Sequence, residues 1–99
     1  MEKLFSYGSL QISKIQKKLF DRILVGESDT LIDYDKTKII INCNKYNIAF
    51  PKSEKKIVGV VYGLSNFEIK IADGYEGSQY KRIQVKLLSG AKCWLYVQR

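Results

Sequence analysis

The stretch Ile57-Val58-Gly59-Val60-Val61-Tyr62 constrains the fold of this chain most. Its apolar residues fall on both alternating faces, so it reads as a strand covered on two sides, in a sheet or a barrel. Gly59 inside it marks a bend, or a place where another backbone approaches closely. At 99 residues the chain has room for one domain around such a strand, spanning 1–99. With 45% hydrophobic and 12% aromatic residues it can fill one compact core.

On either side, strand and helix signals alternate. Leu4-Phe5-Ser6-Tyr7 reads as a short strand that stops at Gly8-Ser9. A helix is expected over Leu10–Phe20, with Ile12, Ile15, Leu19 and Phe20 on one face and Lys14, Lys17 and Lys18 on the other. A glycine turn between strand and helix leaves backbone N–H groups free to hold an anion, or is an ordinary connection. Ile23-Leu24-Val25 reads as a strand ending at Gly26. Leu31-Ile32 and Ile39-Ile40-Ile41 read as strands separated by a turn at Asp33-Tyr34-Asp35. Asn42, Asn44 and Asn47 punctuate the next stretch, and Tyr46–Phe50 is an extended piece closed by Pro51. Lys52–Lys56 is expected to be a charged loop.

After the Ile57–Tyr62 strand, Ser65 and Glu68 form a capping box, with Leu64 and Ile69 at the staple positions. The helix they start is expected to stop at Gly74. Tyr80–Leu88 and Ala91–Val97 read as a hairpin around Ser89-Gly90. In the first, Ile83, Val85 and Leu87 alternate against Tyr80, Arg82, Gln84 and Lys86; in the second, Cys93, Leu95 and Val97 alternate against Trp94 and Tyr96. Many short strands and two helices give an α+β class with a curved sheet or small closed barrel.

Composition narrows the chemistry. The chain has no histidine, which removes Ser-His-Asp and Cys-His catalysis and disfavours an ordinary zinc site. Cys43 and Cys93 are expected to be reduced, partly buried thiols. No apolar run approaches the roughly 20 residues of a membrane span, and Met1–Phe5 lacks a signal-peptide core, so a soluble cytoplasmic protein is expected. The net charge of +7 comes from dispersed lysines, which suit a solvated surface with some attraction for small anions. A nucleic-acid binder ranks below the alternatives because no basic run or known motif is present.

Asp73-Gly74-Tyr75-Glu76-Gly77 places a lone glutamate between a helix and a strand, where a carboxylate can face a cavity. Three pieces now stand in a recognisable order: Leu4-Phe5-Ser6-Tyr7-Gly8-Ser9-Leu10, then Val58–Leu64, then Ala72–Gly77 with Tyr80-Lys81-Arg82-Ile83-Gln84-Val85. Ala91 with Leu95-Tyr96-Val97 closes the series, and Phe50-Pro51 is an aromatic-proline pair. In this order they resemble the γ-glutamylcyclotransferase-like family across nearly the whole chain. The sequence departs from the family at Ala72, where a leucine is usual. It also carries no extension after the last strand, from which a more open pocket is expected.

The resemblance implies a small mixed β-barrel of about five to seven strands with two flanking helices. It implies a small-molecule γ-glutamyl substrate, cyclised to 5-oxoproline with release of an amine, and neither cofactor, metal, nucleic acid nor membrane. By motif, Glu76 would be the acid/base, with Tyr7, Gly8, Ser9 and Leu10 holding substrate. The chemistry suits a chain without histidine, because the substrate's own α-amine is the nucleophile. One carboxylate can take a proton from that amine and return one to the leaving group. Amides near Gly8 and Ser9 can serve either the developing oxyanion or the substrate α-carboxylate. Tyr75 and Tyr80 can wall the pocket, Tyr80 dividing its role between core and lining. Arg82 reads as an ion-pair partner, and Trp94 and Tyr96 as core. A non-catalytic module binding a small anion on the same fold is the alternative, and the oligomeric state stays open.

Overall fold

The computed structural model describes residues 1–99, the side chain of Ile41 apart, in five strands and two α-helices. In chain order these are β1 (Glu2–Ser6), α1 (Ser13–Phe20), β2 (Gly26–Ile41), β3 (Asn44–Leu64), α2 (Asn66–Glu76), β4 (Tyr80–Lys86) and β5 (Lys92–Gln98). They form one sheet in the order β2-β3-β1-β5-β4. β1 runs antiparallel to β3 and parallel to β5, so the sheet is mixed. It curls into a half-barrel with the helices packed against it. The β4–β5 turn reaches the far strand, where Leu88 N–H donates to Thr30 O at 2.9 Å.

Apolar residues pack on both faces of the sheet. On the helix side lie Leu4, Tyr62 and Leu64 with Phe20, Ile69 and Ala72. On the other side lie Phe5, Leu31, Ile57, Leu87 and Leu95. β1 is central, and its neighbours Leu4 and Phe5 feed opposite layers at 1% exposure each. Each fully buried side chain of this size contributes about 1.5–3 kcal/mol. Ile57–Tyr62 lies within β3 as expected, but Val58 is 66% exposed, so only part of the run is covered on both faces. Gly59 is the expected close approach: a Cβ there would strike Ser6 O and come within 2.6 Å of the Phe5 ring.

The N-terminal helix is broken where periodicity predicted one face. Ser9–Gln11 is a 3₁₀ turn, and Ile12 is extended (φ −79°, ψ 120°) and half-exposed rather than on a helical stripe. The buried residue in its place is Gln16. Its Nε2 donates to Leu10 O at 2.8 Å, and its Oε1 accepts from Leu24 N–H at 2.9 Å. That bond draws the Leu24 amide away from any ladder, so Ile23–Val25 is an irregular segment and not a strand.

β2 and β3 are longer than the sequence suggests. In place of the expected turn at Asp33–Asp35, β2 runs on through a register shift between Ile32 and Tyr34, where Asp33 alone faces the four β3 residues between Pro51 and Lys56. Asp33 and Glu54 take positive φ (60° and 68°), and Glu54 N–H donates to the Asp33 carboxylate at 3.1 Å. Three more residues on β3 than on β2 are absorbed there, so the pair bends and runs on. Lys52–Lys56, expected as a charged loop, lies within the span of β3, but only Lys56 pairs with β2 and the four residues before it form the irregular stretch. Pro51 is tolerated because β1 pairs only with Val60–Leu64, leaving β3 one free edge at Pro51. The hairpin turns at Asn42-Cys43, both with positive φ (50° and 66°), the geometry of a two-residue type I′ turn. Cys43 is therefore exposed, whereas Cys93 is buried; both thiols are free.

α2 starts as expected. Glu68 N–H donates to Ser65 Oγ at 3.1 Å, and Ser65 N–H to Glu68 Oε1 at 3.0 Å. Arg22 grips the same carboxylate with two 2.8 Å bonds, which holds its pKa down at about 2. The stop is three residues later than Gly74. Gly77 takes φ 86° and its N–H caps Asp73 O at 3.0 Å, so Glu76 closes the helix rather than following it. The β4–β5 hairpin forms as expected, but Leu87–Ala91 make the connection, so the register is one residue off that of a two-residue turn at Ser89-Gly90, and Ile83 and Val85 pair with Leu95 and Cys93. No helix among the described residues is long and apolar enough to cross a membrane.

Candidate active site

A cavity of about 360 Å³ opens between the Tyr7–Leu10 turn, the end of α2 and the beginning of β3. This is at the lower end of the size range of small-molecule sites. It gathers every residue singled out from the sequence for catalysis or binding: Tyr7, Gly8, Ser9, Leu10, Glu76 and Tyr80.

The turn is anchored at both ends. β1 delivers it from Ser6, whose carbonyl accepts from Gln11 Nε2 at 2.8 Å. Leu10, 3% exposed, plugs into the helix-side core. The first donors bonded back into the turn are Gln11 N–H to Gly8 O (3.1 Å) and Ile12 N–H to Ser9 O (3.0 Å). The Ser9 and Leu10 amides come earlier and have no acceptor inside the turn.

Glu76 enters from the last turn of α2 and is half-buried. Desolvation pushes its pKa up from 4.5 to about 7. No ion pair among the described residues offsets that penalty. The negative end of the helix dipole acts in the same direction.

Tyrosines form the walls. Tyr80 OH donates to Asn47 O at 2.6 Å, and its ring meets Tyr46 edge-on with centroids 6.2 Å apart. Tyr80 therefore both lines the cavity and packs in the core. Burial and then the Glu76 charge push its pKa up to about 12. Tyr7 OH donates to Tyr96 O at 3.3 Å, and its pKa is raised further by burial and by Tyr80 and Glu76. Both hydroxyls are thus neutral donors at neutral pH. Tyr96, expected only in the core, is buried and also lines the cavity.

Other parts of the site were not legible in the sequence. Tyr75 OH and Ser9 Oγ share a 2.6 Å hydrogen bond across 66 residues, tying the turn to α2. Lys45, Tyr46 and Asn47 bring β3 to the rim, which depends on the β2–β3 register that no local signal encodes. Arg82 is outside the cavity and pairs with Asp73 at 2.6 Å, as its place on the strand suggested. No cluster among the described residues could hold a metal ion. The arrangement offers one carboxyl able to carry or release a proton near neutrality, beside free amide donors. Ser9 Oγ is bonded to a phenol rather than to a base.

Solved structures with this fold include an Arabidopsis thaliana protein (TM-score 0.84, 24% identity, 98% of this chain and 61% of that one). A human protein described as uncharacterized also matches (TM-score 0.84, 18% identity, 99% and 66%). So does a protein titled gamma-glutamyl cyclotransferase (TM-score 0.79, 17% identity, 99% and 66%). In sequence, AIG2-like protein D of Arabidopsis thaliana is 30% identical over 89 residues, 89% of this chain and 57% of that protein. The chain thus spans about three fifths of the length of such relatives. The family model for gamma-glutamyl cyclotransferase, AIG2-like proteins matches residues 4–99, and the chain belongs to that family.

Proposed function

We propose that the protein is a γ-glutamylcyclotransferase that converts a γ-glutamyl amide to 5-oxoproline and a free amine. The observation that carries this reading is the unpaired Glu76 carboxyl, with a pKa of about 7, in the same cavity as the Ser9 and Leu10 amides. Membership of the family supports it as well.

Glu76 takes a proton from the substrate α-ammonium, and the freed nitrogen attacks the γ-carbonyl carbon. The tetrahedral intermediate collapses by breaking the bond to the leaving nitrogen. Glu76 returns its proton to that nitrogen and then takes the second proton from the ring nitrogen, leaving the neutral five-membered lactam. That second proton departs with the amine as its ammonium, which restores the carboxylate. A carboxyl populated in both forms near neutrality suits these transfers. Tyr7, Gly8, Ser9 and Leu10 hold the substrate from one side, with the free amides as donors to its anionic oxygens, and Tyr80 walls the other. Folding the γ-glutamyl chain into ring-closing geometry supplies the proximity effect.

Incubation with a panel of γ-glutamyl amides and γ-glutamyl peptides should release 5-oxoproline, and Glu76→Gln should abolish it. Full activity in that variant would sink the assignment of Glu76. Thermal stabilisation by a γ-glutamyl ligand with no turnover across the panel would assign a binding module instead.

A further inference from the structure

Asp73 sits one helical turn before Glu76 on α2, close enough to act on the same face. Two strands hold it. From β4, Arg82 Nε donates to Oδ1 at 2.6 Å and Nη2 to Oδ2 at 3.0 Å. From β5, Tyr96 OH donates to Oδ1 at 2.8 Å. The Arg82 guanidinium lies over the Trp94 ring at 4.5 Å, which fixes the plane of its fork. Tyr96 borders both the Glu76 cavity and the notch holding Asp73 and Arg82, and its carbonyl accepts from Tyr7 OH. A continuous set of bonds therefore runs from the cavity wall to the last turn of α2.

We propose that Asp73 and Arg82 are positioning residues for Glu76. Together they pin the last turn of α2 to the β4–β5 hairpin, and they cancel the charge that either partner alone would direct at the Glu76 carboxyl. The catalytic meaning of this pair rests on Glu76 being the acid/base; its electrostatic meaning does not. The other titratable groups lining the cavity with Glu76 are Tyr7, Lys45 and Tyr46, Tyr75 on its own helix, Tyr80 and Tyr96. Lys45 keeps its charge and the tyrosines stay neutral whichever partner of the pair is replaced, so differences in charge between variants come from the pair.

Opposite charges on the two partners give opposite signs. Removing the guanidinium leaves an anion one turn away, which disfavours ionised Glu76; removing the carboxylate leaves a cation, which favours it. The test is a carbon-13 NMR titration of the full chain labelled at glutamate carboxyls, with the Glu76 resonance assigned by its loss in Glu76→Gln. Arg82→Gln should raise the Glu76 midpoint by about one pH unit, and Asp73→Asn should lower it by about one. The double variant should return near the wild-type value. Arg82→Lys, which keeps the charge but loses the fork and the stack, should leave the midpoint in place while lowering the rate of 5-oxoproline release several-fold.

Midpoint shifts of the same sign in the two single variants, or none in either, would overturn the proposal. So would full activity in Arg82→Lys. Opposite shifts in a protein that makes no 5-oxoproline would uphold the charge balance and sink the catalytic reading, so the two failures are distinguishable.

Discussion

Replacing Glu76 by Gln should make the protein more stable, and more so at alkaline than at acid pH. The carboxyl titrates near 4.5 when unfolded and near 7 when folded, because burial disfavours its charge. At 1.36 kcal/mol per pH unit, the ionised form is disfavoured in the fold by ~3 kcal/mol. Between pH 4.5 and 7 the folded chain binds more protons than the unfolded one, so wild-type stability falls as pH rises through that window. Below it the penalty is absent, and above it the penalty is complete. Gln has nearly the same shape and no charge, so its advantage should grow by about 2–3 kcal/mol from pH 5 to pH 8. The side chain is half-buried, and residual solvent screening places the result toward the lower figure. Urea unfolding of both proteins at the two pH values, with equal slopes, reads the difference directly. A gap independent of pH, or a less stable variant at pH 8, would refute the assignment of a desolvated, unpaired carboxyl.

Ser65→Ala removes the acceptor for the Glu68 amide and should cost about 1 kcal/mol, read as a drop of about 4–8 °C in thermal midpoint. Gly59→Ala drives a methyl group into Ser6 O and the Phe5 ring. It should cost about 1–3 kcal/mol in chemical denaturation and disturb the turn that β1 delivers. Ser9→Ala and Tyr75→Phe each break the 2.6 Å bond that ties the turn to α2. Each should raise KM several-fold with stability changed by less than about 0.5 kcal/mol, and the double variant should be no worse than either alone, since one bond is shared.

What could be read from the sequence was what local chemistry dictates. Ser65 and Glu68 cap α2 wherever it packs, and the alternation of Ile83 and Val85, continued by Leu87 just past the strand, aims one face of β4 inward whatever its partner. Gly59 signalled a close approach because few other roles put glycine inside such a run. The failures share a long-range cause. Gln16 is buried only because Leu10 O and Leu24 N–H meet its amide, and without that knowledge Ile12 looks like the better core residue. Asp33–Asp35 and Lys52–Lys56 carry turn and loop chemistry, but facing each other they make a register shift, and the two long strands stay paired on either side of it. Gly74 and Gly77 both qualify as helix stops, and tertiary structure gave the positive φ to Gly77. At the site, Glu76 and Tyr7–Leu10 stood out as ordered motifs. The Tyr75–Ser9 bond and the approach of Lys45 and Asn47 depend on register and curvature, which a linear pattern does not encode.

The central claim is that Glu76 exchanges protons with a γ-glutamyl substrate held by the Tyr7–Leu10 turn. A crystal structure of Glu76→Gln with a γ-glutamyl amide bound tests it most directly. The expected result is the substrate α-nitrogen about 2.6–3.2 Å from the side chain at position 76, with anionic oxygens of the substrate on the Ser9 and Leu10 amides. A ligand lodged in the Arg82–Arg99 notch, or one in the cavity with its α-nitrogen turned away from position 76, would contradict it.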